Sequence, residues 1–282
     1  MNSTVKKELA SKYIFLQGGL GNQLFQIALG EYLKKSEVSI LFAPSMLGLK
    51  LKGTTHRKFE TRGLIPSNQV ALFQPLFYLA LAKAFKTNQI YIEDDLYTFK
   101  EKKVDEILKK KYIIGYFQSL VLVQEVQTEI VTLINKKIKT SKPSNNLTIH
   151  VRAGDYLKTK NKKYHGLLSR EYYKKAIETI ERRDISLEEI RVVTDDIDYS
   201  KNLFRKINLK NIDKFIKNNN PWLDLEYLTN SQNIIMANSS FSWWAGFLGH
   251  TIHKSTVVMP NQWTVVDSKF PNELIHKDWI LV

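Results

Sequence analysis

Short apolar runs alternate with longer stretches of helical periodicity along the chain. Near the start, the apolar run 13–16 ends at two glycines, a periodic stretch covers 22–35, and a second apolar run follows at 38–42. Apolar residues that recur every three to four positions predict a helix, and short apolar runs bounded by turn residues predict strands. The opening of the chain therefore predicts a βαβ unit.

The second half repeats this alternation. We predict strands at 147–151, 190–194 and 234–237, and a helix over 170–182 that is capped by Ser169. Alternating strands and helices are typical of parallel sheets covered by helices, which bind ligands at the carboxyl ends of their strands. The sequence therefore predicts the α/β class, with two parallel sheets that face each other across a cleft.

The segment 136–146 is charged and then rich in Ser, Pro and Asn, a composition typical of a linker. We place a domain boundary there, with an N-terminal domain over 1–145 and a C-terminal domain over 146–282. The cleft between the two domains is the expected ligand site.

Composition narrows the possible partners. The chain has no cysteine, which excludes disulfide frameworks, thiol nucleophiles and Cys-based metal sites. Its net charge is +14, but it has 34 lysines against 8 arginines, and no nucleic-acid-binding motif accompanies them. We therefore expect no nucleic-acid partner, and a lysine-rich surface that attracts a phosphorylated substrate or an anionic membrane.

The longest apolar stretch, 70–82, is shorter than the roughly 18–20 residues that span a membrane. A buried helix is the favoured interpretation, and a helix that lies on a membrane surface is the alternative. The first residues lack the apolar core and cleavage site of a secretory signal. We expect a cytoplasmic protein, with peripheral association at the inner face of the cytoplasmic membrane as a further option.

The first candidate site is the glycine-rich turn at 18–23, between the first strand and the first helix. Gly19, Gly21 and Asn22 lie where backbone N–H groups approach an anionic or sugar ligand at a helix N-terminus. The glycines do not have the spacing of a dinucleotide-binding or Walker motif. A tight turn that needs glycine only for its backbone shape is the alternative.

The second candidate site follows the strand at 147–151. His150 and Arg152 share one face, because side chains alternate along a strand. The guanidinium of Arg152 suits a diphosphate, and Asp155, just past a glycine, is placed to accept a proton or to hold the arginine. The alternative is an Arg–Asp pair that only fixes the turn.

The third candidate is the carboxylate pair Asp195 and Asp196, which follows the strand at 190–194. Such a pair suits a metal ion, a ribose or the donor edge of a guanine. The alternative is that one carboxylate caps the next helix. No Asp-x-Asp motif of the manganese-dependent kind is present, so we expect no catalytic metal.

The fourth candidate is the turn Asn238, Ser239 and Ser240, which follows the strand at 234–237 and opens a helix. The free N–H groups of that helix point out of the sheet and form a seat for a phosphate. The paired tryptophans that follow are more typical of core packing than of ligand contact.

Taken together, these motifs resemble a known family. They are GGLGNQLFQIA at 18–28, GYFQS at 115–119, HVRAGDY at 150–156, SREYYKKAI at 169–177, VVTDD at 192–196 and NSSFSWWAGFLG at 238–249. In this order and spacing the chain resembles, nearly end to end, the family 11 glycosyltransferases, the bacterial and animal α-1,2-fucosyltransferases.

This resemblance implies a GT-B-like architecture of two Rossmann-type domains, GDP-β-L-fucose as donor, inversion at the anomeric carbon, and neither a cofactor nor a metal. It implies that Arg152 holds the diphosphate, that the turn 238–240 contacts phosphate, and that Asp195 or Asp196 binds the nucleoside. The glycine-rich turn matches the loop that closes over the donor from the acceptor side.

The acceptor that the resemblance implies is O-2 of a terminal β-galactose in a glycan, such as a lipid-linked O-antigen or surface-polysaccharide unit. A fucosyltransferase of another linkage (α-1,3, α-1,6 or to protein) and a noncatalytic module that binds a sugar nucleotide are the alternatives. Asp155 and His150 are the nearest candidates for a general base.

Two positions depart from the family pattern. The usual H-x-R-R-x-D signature has a second arginine where this chain has Ala153, so that function is absent or supplied elsewhere. The usual S-D-D begins with Thr194, a change that keeps the hydroxyl group.

Overall fold

The structure is a computed structural model that describes residues 11–44, 58–71, 80, 87–93, 103–154, 166–183, 187, 189–206, 212–265 and 271–282. The chain divides into two compact units, residues 1–136 and 137–282. Each unit contains a parallel β-sheet with helices packed on it. The predicted α/β class with parallel sheets is confirmed.

The two units join between residues 136 and 137, at the start of the predicted linker segment 136–146, and the position 145/146 lies within the first strand of the second unit. The Lys139 N–H donates to the Glu226 carboxylate (2.7 Å), and the Ser141 N–H donates to the side-chain oxygen of Asn230 (3.1 Å). These bonds tie the linker-like segment to a helix of the second unit. Local composition does not reveal such pairing with a distant helix.

The first unit is built on four parallel strands among its described residues. Its helices and strands are β1 (Lys12–Leu16), α1 (Leu20–Lys34), β2 (Ile40–Pro44), β3 (Ile90–Ile92), α2 (Val104–Leu108), β4 (Tyr112–Ile114), α3 (Leu120–Glu125) and α4 (Gln127–Ile134). The strand order is β2-β1-β4-β3. A 3-10 turn at Ser67–Gln69 follows β2.

Helix α1 packs closely on β1 and β2. Leu24, Ile27 and Leu33 are fully buried along it. A Cβ atom at Gly30 would lie 2.3 Å from the ring of Phe42 in β2. Glycine at this position therefore allows the helix to approach the sheet.

The second unit contains a larger parallel sheet. Its helices and strands are β5 (Ser144–Val151), α5 (Arg170–Glu181), β6 (Glu189–Thr194), α6 (Ile197–Lys206), β7 (Lys214–Ile216), α7 (Pro221–Thr229), β8 (Ser231–Ile235), α8 (Ser240–His253), β9 (Thr256–Met259) and β10 (Ile280–Leu281). A 3-10 turn at Asn272–Leu274 precedes β10.

The strand order of this sheet, β10-β9-β8-β5-β6-β7, places the first strand in the middle. From β5 the chain runs outward through β6 and β7, and then continues on the other side of β5 with β8. This is the doubly wound order, and the reversal lies between β5 and β8. Ligands of such sheets bind outside the carboxyl ends of the strands at the reversal, so this edge is the expected site.

Two adjacent tyrosines of α5 fix the ends of these two strands. The Tyr172 hydroxyl donates to the carbonyl oxygen of Met236 (2.6 Å), and the Tyr173 hydroxyl donates to that of His150 (3.2 Å). Both phenol rings are buried, and burial raises the pKa of each hydroxyl, with the neighbouring Tyr173 and Tyr199 adding to the respective shifts. The hydroxyls therefore stay protonated and donate to both strand ends at once.

Most predicted elements of the two units are confirmed with small shifts. The helix predicted over 170–182 ends one residue earlier, and the Ser169 hydroxyl oxygen accepts the Tyr172 N–H (3.1 Å) as its cap. The strand predicted at 234–237 ends at Ile235, because the Ala237 N–H donates to the Ser242 hydroxyl oxygen instead of to a neighbouring strand.

Most of the apolar stretch 70–82 lies outside the described residues. Among the helices that are described, none is long and apolar enough to cross a membrane.

Candidate functional site

The ends of three strands meet at the carboxyl edge of the second unit's sheet. Arg152 follows β5, Asp195 follows β6, and Asn238 and Ser239 connect β8 to α8. These strands are neighbours in the order β8-β5-β6, so the three predicted sites of this unit lie along one edge.

Arg152 and Asp195 form an ion pair across this edge. The guanidinium nitrogen lies 2.6 Å from Oδ2 of Asp195, and each side chain is about a quarter exposed (25% and 27%). The other carboxylate oxygen of Asp195 accepts the N–H groups of Ala153 (2.8 Å) and Gly154 (2.9 Å). Asp195 therefore positions both the arginine and the turn that follows β5.

A side chain at position 154 would crowd this arrangement. A Cβ atom there would lie 2.8 Å from the Asp195 carboxylate. Burial alone would raise the pKa of Asp195, but Arg152 and the two backbone N–H groups outweigh it and hold that pKa below its usual value. The carboxylate is therefore ionised at neutral pH.

His150 lies beneath this pair in a dry environment. Its side chain is 4% exposed, and its ring centroid is 5.4 Å from that of Phe241 in the first turn of α8. Burial lowers the pKa of His150 to about 4; Asp195 opposes this shift and Arg152 adds to it. The imidazole is neutral at pH 7, and its Nδ1 has no hydrogen-bond partner among the described residues.

Asp196 has a different role from Asp195. Its Oδ1 accepts the Tyr199 N–H (2.9 Å), and its carbonyl oxygen accepts the Ser200 hydroxyl (2.8 Å). Asp196 therefore caps α6, which is the alternative considered from the sequence. The structure leaves Asp195 as the carboxylate that faces Arg152.

The N-terminus of α8 opens at the same edge. Ser239 is its N-cap residue, and the Ser239 side chain caps no backbone N–H. The Asn238 amide donates to the carbonyl oxygen of Trp263 (3.1 Å). Because the first N–H groups of a helix have no partner within it, α8 presents donors at the same edge of the sheet as Arg152. Trp243 and Trp244 are fully buried, as expected for core residues.

In the first unit, the glycine-rich turn lies between β1 and α1. Gly18 has a φ of +75°, and a Cβ atom there would lie 2.5 Å from the Asn22 side chain, so this glycine serves the turn itself. A Cβ atom at Gly19 would meet nothing within 4 Å among the described residues. Gly21 is buried in the first turn of α1, and the Asn22 side-chain oxygen accepts the Gln118 amide (2.8 Å).

Glu93 was not among the predicted site residues. Its carboxylate accepts the N–H groups of Tyr116 (2.6 Å) and Phe117 (3.0 Å), the latter a residue with a φ of +53°. It thereby holds the turn after β4 that brings Gln118 to Asn22. The motif at 115–119 marks this turn, but nothing in the sequence indicates that the distant Glu93 supports it.

Asp224, in the first turn of α7, is a second residue that sequence reasoning missed. Burial raises its pKa to about 6; the Asn218 amide, which donates to it at 2.7 Å, opposes this rise, and the charge of Asp195 adds to it. The preceding Asn220-Pro221 pair is a helix-start signal, and the effect of the Asp195 charge on Asp224 indicates that this turn lies near the site.

Comparison with protein families identifies the chain. The sequence model described as "Glycosyl transferase family 11" matches residues 65–282, which is more than half of the chain. The chain belongs to glycosyl transferase family 11.

Two proteins from Escherichia coli are similar in sequence to this family 11 chain. One, an alpha-1,2-colitosyltransferase, is 31% identical over 83% of this chain and 86% of the relative. The other, the O-antigen biosynthesis glycosyltransferase WbnK, is 26% identical over 95% of this chain and 99% of its own length.

Solved structures with a similar course of the chain have low sequence identity to it. POFUT1 in complex with GDP has a TM-score of 0.46 at 12% identity, with 89% of this chain and 98% of that chain covered. The E. coli heptosyltransferase WaaC with ADP has a TM-score of 0.47 at 11% identity, with 96% and 92% covered.

The structure brings part of the predicted family 11 site together. Arg152, Asp195 and the turn 238–240 lie at one edge of one sheet, with His150 buried below them. Asp155 lies outside the described residues.

Position 153, where the resemblance implies a second arginine, lies in the turn after β5 that Asp195 holds. Ala153 is fully buried. Arg191 does not replace that arginine at this edge, because it lies within β6, where it pairs with Glu189.

Proposed function

We propose that this family 11 glycosyltransferase transfers L-fucose from GDP-β-L-fucose to O-2 of a terminal β-galactose, with inversion and without a metal. The observation that carries the proposal is the placement of Arg152 and the N-terminus of α8 at the adjacent ends of β5 and β8. A guanidinium and free backbone N–H groups at one point favour a phosphate group of the donor.

The leaving group determines which residues matter most in this proposal. When the bond from the anomeric carbon to the diphosphate breaks, negative charge develops on the departing GDP. The Arg152 guanidinium and the first N–H groups of α8 stabilise that charge, and a donor placed in advance is commonly worth about 3 kcal/mol. Asp195 keeps the guanidinium oriented before the donor arrives.

The acceptor hydroxyl must also lose its proton. His150 is buried and neutral and packs against Phe241, so a large glycan has no direct access to it. Asp155, just beyond the turn that Asp195 holds, is the proposed base. An Asp155→Asn enzyme with near wild-type kcat would contradict this assignment and would favour early departure of the leaving group.

The biological acceptor in this proposal is a lipid-linked O-antigen or surface-polysaccharide unit. The match to WbnK covers nearly the whole chain, and WbnK is named an O-antigen biosynthesis glycosyltransferase. This name supports an O-antigen role. The enzyme would then work in the cytoplasm, at the inner face of the membrane.

A second candidate differs in the sugar that is transferred. The 31% identical relative is named an alpha-1,2-colitosyltransferase, and colitose is fucose without its 3-hydroxyl group. A site that hydrogen-bonds this hydroxyl would strongly prefer fucose, whereas a site without such a contact would accept both sugars. Comparing kcat/KM for GDP-fucose and GDP-colitose with one acceptor separates the two candidates.

The deciding experiment measures GDP release from GDP-fucose, with and without lactose, in the presence of EDTA. We expect release that depends on lactose, and a product whose NMR spectrum shows fucose at O-2 of galactose. Calorimetric binding of GDP-fucose without release, across a panel of β-galactosides, would contradict the proposal and indicate a noncatalytic sugar-nucleotide-binding module. Release with a product linked at another position would assign a different linkage.

A further inference from the structure

His250, His276 and Asp278 form a cluster at the other end of α8 from the site. His250 lies in the last turn of α8, and the other two lie in the segment before β10. The ring centroids of the two histidines are 4.6 Å apart. Along the helix, His250 is about 15 Å from Ser240, so this cluster is separate from the site at Arg152.

A backbone contact determines which nitrogen of His250 is available. Its Nδ1 lies 3.3 Å from the carbonyl oxygen of Ser255, a group that only accepts hydrogen bonds, so Nδ1 carries the proton. In the neutral ring with this tautomer, Nε2 carries the lone pair, and it lies 3.6 Å from Oδ2 of Asp278. A backbone carbonyl that holds the second ring nitrogen is a usual feature of histidines that bind metals.

His276 faces the same carboxylate oxygen. Its Nδ1 lies 3.7 Å from Oδ2 of Asp278 and accepts the Asp278 N–H at 3.3 Å, so this nitrogen is unprotonated. Two imidazole nitrogens and a carboxylate oxygen therefore offer lone pairs within 4.8 Å of one another.

We propose that His250, His276 and Asp278 bind one divalent first-row transition-metal ion, for which Zn²⁺ is the best match. Tetrahedral zinc with bonds of about 2.0–2.2 Å places its ligand atoms roughly 3.4 Å apart. The two nitrogen–oxygen separations in the cluster are 3.6 and 3.7 Å. Imidazole nitrogens favour zinc over Mg²⁺ and Ca²⁺, which take oxygen ligands.

The ion would connect α8 to the C-terminal segment of the chain. His276 stacks on Trp279 (centroids 5.6 Å apart), and Trp279 in turn packs edge-on against Trp243 of α8 (5.8 Å). The Trp243 indole N–H donates to the Leu274 carbonyl oxygen (2.8 Å). The metal adds a third connection between the same two segments, and its role is in stability rather than in sugar transfer.

The test is a calorimetric titration of ZnCl₂ into the untagged, EDTA-treated full chain. We expect one bound ion per chain, and an increase in melting temperature that EDTA reverses. Titration with Co²⁺ should produce the visible absorption of tetrahedral nitrogen and oxygen coordination. The rate of GDP release should be the same with zinc and with EDTA, because the ion has no role in sugar transfer. The titration itself does not measure transfer, so its outcome does not depend on the proposed function.

Three variants locate the ion. His276→Ala and Asp278→Asn should each weaken zinc binding at least tenfold and abolish the zinc-dependent increase in melting temperature. Asp278 is half exposed (53%), so its substitution leaves the fold intact. The matched control is His253→Ala, which removes a histidine of the same helix end that contacts Asn230 instead (3.2 Å).

Two results would overturn the proposal. One is the absence of stoichiometric zinc binding by the wild-type chain. The other is zinc binding that is equally strong in wild type, His276→Ala and Asp278→Asn, or that is weakened only by His253→Ala.

Discussion

At the scale of single residues, the guanidinium of Arg152 is oriented before any ligand arrives. The Asp195 carboxylate holds it at 2.6 Å and also holds the backbone of Ala153 and Gly154. One carboxylate thereby fixes the charge and the turn that carries it. A donor fixed in advance is worth more to a transition state than one that must be ordered during the reaction.

Replacing Arg152 tests this arrangement. We expect Arg152→Ala to lower kcat for GDP release by about 100- to 1000-fold, the usual loss when one donor to a developing anion is removed. Arg152→Lys should recover part of this loss, because the charge remains while the planar fork is lost. Arg182→Ala, at an exposed arginine (81%) directly after α5, is the control. Equal activity of all three variants would contradict the role of Arg152.

The neutral state of His150 predicts a specific dependence of stability on pH. An unfolded histidine gains its proton near pH 6.5, whereas the folded His150 does so only near pH 4. Stability from this residue is therefore complete above about pH 6.5 and is lost as the pH falls towards 4.

We expect His150→Gln to remove this part of the pH dependence. Urea unfolding at pH 7 and at pH 5 measures it, and wild type should lose more free energy of unfolding between these values than the variant. The difference between the two proteins cancels the contributions of the other histidines. Equal losses of unfolding free energy in wild type and variant would show that the folded His150 is charged at pH 5, which would contradict the prediction.

At the scale of elements, substitutions at two glycines distinguish a role in packing from a role in ligand contact. Gly30→Ala places a methyl group against Phe42, 2.3 Å from its ring, and should cost about 1–3 kcal/mol in the free energy of unfolding. Gly19→Ala adds a methyl group that meets nothing within 4 Å among the described residues and should change stability by less than about 0.5 kcal/mol.

We expect the opposite result for KM: Gly19→Ala, which has the smaller effect on stability, should have the larger effect on the KM for GDP-fucose. If the turn at Gly19 contacts the donor, as the family resemblance implies, Gly19→Ala raises the KM for GDP-fucose, while Gly30→Ala leaves KM unchanged in the folded fraction. Urea titration and GDP-release kinetics on the same preparations measure both effects. An unchanged KM in Gly19→Ala would assign this glycine to the turn alone.

The accuracy of the sequence predictions follows the range of the interactions concerned. The helix after Ser169 and the strand ending at Thr194 depend on local periodicity and capping, and both are confirmed. The end of β8 depends on a bond from Ala237 to Ser242, which periodicity does not indicate. Prediction of the site is limited in the same way. The sequence indicates Arg152 and Asp195 as candidates from their residue types and positions, but it does not indicate that they pair across two strands.

At the scale of the whole molecule, the order of the larger sheet explains why residues far apart in sequence meet. The turn after β5 and the turn before α8 are more than 80 positions apart, yet they follow neighbouring strands. The alternation of strands and helices predicts parallel sheets, but it does not state which strands are neighbours. The strand order therefore decides which of the predicted sites are neighbours, and periodicity along the chain does not indicate that order.

The net charge of +14 predicts how the whole chain behaves near a membrane. We expect the chain to sediment with vesicles that contain anionic lipid at about 0.05 M salt, and to be released at about 0.5 M, because salt screens such attraction. Vesicles of neutral lipid are the control. Failure to sediment at every anionic-lipid content would contradict the proposed place at the membrane surface.

The paired tyrosines of α5 have a consequence for how this chain can change during evolution. Tyr172 and Tyr173 hold the ends of β8 and β5 through backbone carbonyl groups, which every amino acid provides. Side chains at the strand ends can therefore be exchanged while the backbone that presents them keeps its course. Proteins that keep these two hydrogen bonds can acquire a preference for a different sugar through substitutions at the strand ends, without a change in the fold of the sheet.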